Sequence, residues 1–257
     1  MKKKNFFALL AQAGLALAAA LLISIGLASC SKDKNKTEED VIYMTTAMNV
    51  GDNFEFVFNE DDEPIVEGAE KLESNYYGLF LDIKYKLKAQ NIAVKGTVTR
   101  LECPSCNITY LNANGTKGLE VLSCRNNPAL SKLELNNSKL REIFCYSCDN
   151  LSKLELNNSK QLKYLDCSAC KNLSNLDLRN CPRLSNLRCE GTKISGNNLS
   201  LPSKMGKSAG LLYFKTGSDT EQKLSSTQVA KIKDELNWNI LYSPTNNGNW
   251  EEYPGED

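Results

Sequence analysis

Apolar residues along this chain fall into three patterns. Over residues 6–28 they run almost unbroken, with Gln12 and Ser24 as polar interruptions. Over residues 41–97 they gather in short β-branched and aromatic runs, VIYMTT, NFEFVF, LFLDIKYKL and NIAVKGTVTRL, punctuated by Gly51, Asp61-Asp62 and Gly96. Such runs between turn residues predict strands. From residue 98 leucine recurs with period two inside a longer period. The units are VTRLECPSCNITYLNANGTKG (98–118), LEVLSCRNNPALSKLELNNSK (119–139), LREIFCYSCDNLSKLELNNSKQ (140–161) and LKYLDCSACKNLSNLDLRNCPR (162–183), then a partial copy, LSNLRCEGTKIS, from Leu184. The column Cys103, Cys124, Cys145, Cys167, Cys189 advances by 21 or 22 residues, and LELNNSK stands verbatim at 133–139 and 154–160.

Within each unit, L-x-C and L-x-L each alternate with period two, so each predicts a short strand with its apolar side chains inward. One unit of this length cannot bury its apolar face alone, whereas stacked units share a continuous core. The expected class is therefore a mostly β solenoid. The unit pattern L-x-x-L-x-C-x-x-(C/N) resembles the leucine-rich-repeat consensus LxxLxLxxNxL, with cysteine at the third apolar position. That resemblance implies a leucine-rich-repeat domain of about 4–5 turns over residues 98–197. Two runs per turn keep a two-sided parallel β-helix open as the alternative. Solenoids need covered ends, so residues 41–97 are expected to form an N-terminal β cap. Residues 198–243 are expected to form a C-terminal α/β cap, with GLLYF as a strand, a helix over 225–236 N-capped by Ser225 with Gln228 three residues on, and NILY as a second strand. Residues 244–257 read as an acidic tail.

The N-terminus carries Lys2, Lys3 and Lys4 ahead of the apolar run, which is long enough to span a bilayer if it is retained. Its end, Leu27-Ala28-Ser29-Cys30, resembles a bacterial lipobox. The resemblance implies a signal peptide over residues 1–29, removal of which leaves Cys30 as the acylated (palmitate-type) first residue; an uncleaved transmembrane anchor is the alternative. Residues 30–40 are then the lipidated cysteine and a polar tether, SKDKNKTEED. Removing residues 1–29 takes away three lysines and no acid, leaving 228 residues with 28 basic and 31 acidic side chains. Lipobox, β lead-in, LxxLxC repeats and the ending LPSKMGK…NW…NWEEYPG together resemble leucine-rich-repeat surface lipoproteins of Bacteroidota. This resemblance implies an outer-membrane lipoprotein of the bacterial envelope, surface-exposed and with a binding role. The extra cysteines depart from it, standing where that family more often has asparagine.

Composition narrows the chemistry. With no histidine, Ser-His-Asp triads, Cys-His dyads and imidazole metal sites are excluded. The 31 basic and 31 acidic residues balance, and although residues 98–194 carry 14 basic against 9 acidic side chains, no basic stripe interleaved with aromatics marks a nucleic-acid surface. CxxC pairs at Cys103/Cys106, Cys145/Cys148 and Cys167/Cys170 raise a four-thiolate metal site built from the last two pairs. The repeat frame offers a simpler account. Cys103, Cys124, Cys145, Cys167 and Cys189 replace an inward leucine, and Cys106, Asn127, Cys148 and Cys170 form a ladder column that hydrogen-bonds neighbouring backbone. An amide alternating with thiols suits a ladder and not a metal site, so no metal and no cofactor is expected. Stacked in-register thiols point in parallel, which disfavours disulfides, and the pairs lack the helix N-terminus that activates a redox thiol.

With Leu and Cys inward, the residues between them face outward. Phe144 and Tyr146 then stand together in mid-sheet, flanked by Arg125, Asp166 and Arg188, and form the candidate ligand-binding group. The acidic column Glu134, Glu155, Asp177 beside Lys132 and Lys153 reads as a solvated face. Asn-x-Ser/Thr triplets at Asn107, Asn114 and Asn136 read as products of an Asn- and Ser-rich composition. Asp61/Asp62 is a possible acid–base pair but shows no sign of a pocket. The expectation is a monomeric, non-enzymatic protein that meets the membrane through lipid on Cys30 and binds a protein or carbohydrate, not nucleic acid. A scaffold subunit of an envelope complex is the alternative.

Overall fold

Short strands follow from the period-two runs, and their stacking fixes the architecture. The computed structural model describes residues 40–62, 64–114, 116–137, 139–156, 158–203, 209–216, 222–245 and 249–255. Cys30 and the expected signal peptide lie outside the described residues, as do residues 31–39 of the tether. The unit described is Glu39–Asp257. It is mostly β, a β-solenoid of about five turns with little helix.

Strands β1 (Val41–Thr46), β2 (Asn53–Asn59), β3 (Ile65–Glu67), β4 (Ala69–Tyr77), β5 (Phe80–Leu87) and β6 (Asn91–Lys95) precede the coil. Its turns carry β7 (Arg100–Glu102), β8 (Ile108–Asn112), β9 (Val121–Ser123), β10 (Lys132–Glu134), β11 (Glu142–Phe144), β12 (Tyr164–Asp166), β13 (Leu176–Asp177), β14 (Asn186–Arg188) and β15 (Leu199–Ser200). Strand β16 (Gly210–Thr216), helix α1 (Ser226–Ala230), β17 (Trp238–Ser243) and β18 (Glu251–Glu252) follow.

The L-x-C strands stack in parallel and in register. Leu101, Leu122, Ile143, Leu165, Leu187, Leu212 and Ile240 form one inward column from β7 through β17, all fully buried. This sheet continues without a break into the antiparallel strands β2, β5 and β4. The L-x-L side is more sparsely paired: β8 with β10, a single bridge Glu134↔Glu155, and β13 with β15. It continues from β8 into the antiparallel β1, β6 and β3. The coil thus carries sheet on both sides, and its inward side chains are as well buried on one as on the other: Leu133, Leu135, Leu154, Leu156, Leu176 and Leu178 are all at most 5% exposed.

The two sides run in opposite directions, so their connections form two edges. Loops leaving the L-x-C strands line one edge. Loops returning to them, residues 113–120, 135–141, 156–163 and 178–185, line the other. The register places Asp40 on this return edge, since Tyr43 pairs with Asn112 and Asp40 bonds the amides of Gly96 and Lys117. The β4–β5 hairpin tip lies on the same edge, because Phe80 pairs with Asn59, whose amide side chain reaches Thr99.

Three segments differ from the reading of the sequence. Strand β4, AEKLESNYY, escapes a hydrophobicity pattern because it is a solvated edge strand with almost every residue exposed. The helix spans nearly the expected residues, with Ser225 and Gln228 closing a capping box, but α1 widens after Ala230 into a π-helical turn, Lys231–Glu235. The segment expected to be an acidic tail instead folds back, pairing β18 with β17 and burying Tyr253 against Phe214 and Tyr242. Asp62, weighed as half of an acid–base pair, is buried and accepts the amides of Asn59, Thr99 and Arg100, pinning the β2–β3 turn to the start of the coil.

Candidate functional site: the outer face of the L-x-C sheet

Each L-x-C strand ends in the same backbone device. Two residues past the inward cysteine the chain turns left-handed, at Ser105, Asn126, Ser147, Ala169 and Gly191 (φ 55°, 58°, 57°, 54° and 70°). The turn swings the next side chain, Cys106, Asn127, Cys148, Cys170 or Thr192, back into the core. There Asn127 donates to the carbonyls of Cys103 (3.0 Å), Cys124 (2.8 Å) and Arg125 (3.2 Å) and accepts the amide of Ile108 (2.9 Å). Cys148 donates to the Cys124 carbonyl (3.3 Å), Cys170 to that of Cys145 (3.0 Å), and Cys106 to that of Pro104 (3.3 Å). Gln222 does the same at the last turn, from outside the repeats, by donating to the Cys189 carbonyl at 2.8 Å.

Thiols also meet diagonally. Cys124 touches Cys148, Cys148 touches Cys170, and Cys170 touches Cys145. Burial pushes the thiols of Cys103 and Cys167 well up, Cys106 to about 12 and Cys181 to about 11. The raised thiols stay protonated and unreactive, whereas hydrogen bonds from Cys124 and Cys170 draw Cys148 down to about 4. Among the described residues no group of three or more Cys, Asp and Glu side chains is placed to hold a metal ion.

Above this device lies the outer face. Three outward columns run along it, and near its middle Phe144, Tyr146, Arg125 and Asp166 line a depression of about 300 Å³ with Arg100, Glu102 and Glu142. Its walls are braced by ion pairs: Glu102 bridges Arg100 (2.8 Å) and Arg125 (2.8 Å), and Arg125 also donates to Ser123 (2.8 Å). Phe144 packs on Tyr164 of the next turn, with ring centroids 5.1 Å apart. Arg188 does not line the depression. It pairs with Glu190 and Asp166 and lies over the rings of Tyr213 (5.1 Å) and Trp250 (5.5 Å).

Three outward residues, Ser123, Asp166 and Glu190, are buried because the arginines and aromatics above them close over them. Burial holds Glu190 above the usual carboxylate range despite its pairing with Arg188, and one of its oxygens has no partner. Arg100, Glu142 and Tyr164 could have been found from the period-two frame, two residues before the outward column already considered. Trp250 could not, because it reaches the face only once the C-terminal segment folds back.

On the opposite, L-x-L side, a wider hollow of about 500 Å³ is lined by Lys132, Glu134, Lys153 and Glu155. Here the charges pair along single strands, Lys132 with Glu134 and Lys153 with Glu155, both at 2.5 Å. Tyr110 lies beneath these charges, under Lys132 and bonded to Glu134, and among the described residues that line the hollow none is aromatic, which leaves the L-x-C face as the better recognition surface. The described residues include no helix long and apolar enough to cross a membrane. Comparison with protein-family models, with curated proteins and with solved structures finds no match to this chain.

Proposed function

We propose that this chain is a non-enzymatic cell-surface lipoprotein, held through acylated Cys30, whose solenoid binds a protein or glycan on the outer face of its L-x-C sheet. In this reading the coil is a leucine-rich-repeat domain with cysteine replacing leucine and asparagine at two columns, and the flanking strands act as its caps. The observation that carries the reading is the depression holding Phe144 and Tyr146 between braced charges. Aromatic rings set among fixed donors and acceptors, on a rigid sheet, are what a ligand anchor requires. In this reading the buried repeat thiols and the Asp62 carboxylate, engaged by backbone amides, are structural.

The test is a Phe144→Ala/Tyr146→Ala double variant. Retention on a glycan array, or on protein ligands identified with the wild-type chain, should weaken by at least ~2 kcal/mol, as for anchor residues generally. The melting temperature should change little, because both rings are only half-buried on the outer face. Unchanged retention would move the ligand off this face.

A further inference from the structure

The return edge of the coil is set apart from the opposite edge by its charge. Its loops, residues 113–120, 135–141, 156–163 and 178–185, hold seven basic side chains against one acid, Glu120. Lys117, Lys139, Arg141, Lys160, Lys163 and Arg183 are all exposed. Glu120 pairs with Arg141 at 3.3 Å, and Arg179 pairs with Asp177 at 2.5 Å, so the ridge keeps a net positive charge. The spacing follows from the repeat: each turn contributes basic residues at the same loop, and parallel turns stack about 4.8 Å apart, so the charges form one straight ridge. The opposite edge mixes signs, with Lys171 paired to Asp149 at 2.7 Å.

Two further features share this edge. Asp40, where the preceding chain joins the coil, is bonded there to the amides of Gly96 and Lys117. The β4–β5 hairpin tip also ends there, carrying Tyr76, Tyr77 and Leu79 at 66%, 65% and 68% exposure on either side of a left-handed turn at Gly78. Aromatic and leucine side chains on a hairpin tip are costly in water and suit a membrane interface. Glu60 and Asp61 stand near the tip, so the charge attraction falls on the repeats and the tip supplies apolar area.

From this combination we infer that the return edge docks on an anionic lipid surface, laying the coil along the bilayer from which the chain is tethered. A basic ridge alone would suit any polyanion. The apolar tip, together with attachment of the preceding chain at the same edge, selects lipid. The inference rests on the proposed anchoring at Cys30, ten residues before Asp40. Docking this edge turns the solenoid on its side and leaves both sheet faces, including the Phe144/Tyr146 depression, open to solvent.

The full chain is mixed with vesicles of phosphatidylglycerol and phosphatidylethanolamine, or of phosphatidylcholine alone. Sedimentation reports attachment, and lysine acetylation reports the face. On anionic vesicles Lys139, Lys160 and Lys163 should be acetylated at least about tenfold more slowly than on phosphatidylcholine, while Lys171 keeps its rate. High salt should abolish the protection. The Lys139→Glu/Lys160→Glu/Lys163→Glu variant changes only exposed side chains and should remove the protection of Lys117 as well. Attachment without protection of this edge would leave the anchor standing and overturn the docking. Protection with attachment that high salt reverses would support docking and overturn the anchor. Absence of both would overturn both.

Discussion

The two sides of the coil bury their inward leucines equally well, yet only one is a continuous sheet. On the L-x-C side seven parallel strands pair without interruption from β7 to β17. On the L-x-L side two separate pairs, of strands two to five residues long, flank a lone bridge. Hydrophobic burial therefore does not account for the difference. Five of the L-x-C-side strands, β7, β9, β11, β12 and β14, are followed by a left-handed residue and an inward side chain, which at Asn127, Cys148 and Cys170 bonds the previous turn. On the return edge Asn137 and Cys181 also reach carbonyls of the preceding loop, those of Leu119 and Leu156, but among its described residues none turns left-handed, and the inward hydroxyl of Ser159 there is buried with no partner. Burial places strands, but satisfied turn chemistry fixes their pairing.

The sharpest way to break this contrast is to remove the device where it makes most bonds. Asn127→Ala strands the Cys103 carbonyl and the Ile108 amide in the core, takes one donor each from the carbonyls of Cys124 and Arg125, and should cost about 3 kcal/mol in denaturant unfolding. Asn127→Cys, the residue used by the neighbouring turns, should cost about half as much, because a thiol can still serve one carbonyl. A loss under ~1 kcal/mol for the alanine variant would show that the amide is dispensable to the stack.

The left-handed column offers a second, smaller test. Gly191 takes φ 70°, and a Cβ there would come within 3.3 Å of the Cα of Ala169. Gly191→Ala should therefore destabilise by about 1–2 kcal/mol. Ala169→Gly, one turn earlier at φ 54°, should relieve strain and change stability by less than about 1 kcal/mol, toward greater stability. If both variants behave alike, the left-handed turn is not what distinguishes this edge.

On the return edge the sign should reverse. Ser159→Ala removes a buried hydroxyl that bonds nothing and should raise stability by about 0.5–1 kcal/mol. Destabilisation by that variant would mean that the hydroxyl has a partner, and the contrast between the edges would narrow.

Much of this was readable from the sequence, for a physical reason. Period-two alternation at a fixed longer spacing determines which side chains face inward, so Leu101 to Leu187 and the cysteine columns could be placed before any coordinates, whereas Leu212 and Ile240 join the same column only in the fold. The left-handed column could not, because Ser105, Asn126, Ser147, Ala169 and Gly191 share a conformation and no chemistry. Strand β4 was hidden because an exposed edge strand needs no apolar face. At the candidate site, Phe144 and Tyr146 follow from strand parity alone. The detachment of Arg188 from them depends on Tyr213 and Trp250, whose arrival is a tertiary event.

The smallest expected effect is in pH dependence, where the acids of the two sides titrate in opposite senses. On the L-x-C face burial holds Glu190 above its ordinary value, against the pull of Arg188. The folded chain then keeps this proton to higher pH than the unfolded chain. Its contribution to stability is fullest below the ordinary glutamate value of about 4.3 and declines as pH rises toward the folded value. On the L-x-L side Glu134 is lowered: burial opposes ionisation there, but hydrogen bonds from Lys132 and Tyr110 outweigh it. Asp177 is lowered by its hydrogen bond with Arg179. Their contributions are complete above ordinary carboxylate values and are lost as pH falls through the lowered ones. Urea midpoints measured from about pH 3 to about pH 8 should separate the two groups. Glu190→Gln should flatten the decline above ~4.3 and leave the acid loss intact, whereas Glu134→Gln/Asp177→Asn should do the reverse. If Glu190→Gln leaves the upper slope unchanged, the buried carboxylate ionises as freely folded as unfolded. The closed cover of arginine and aromatic side chains on the L-x-C face would then have to open in solution.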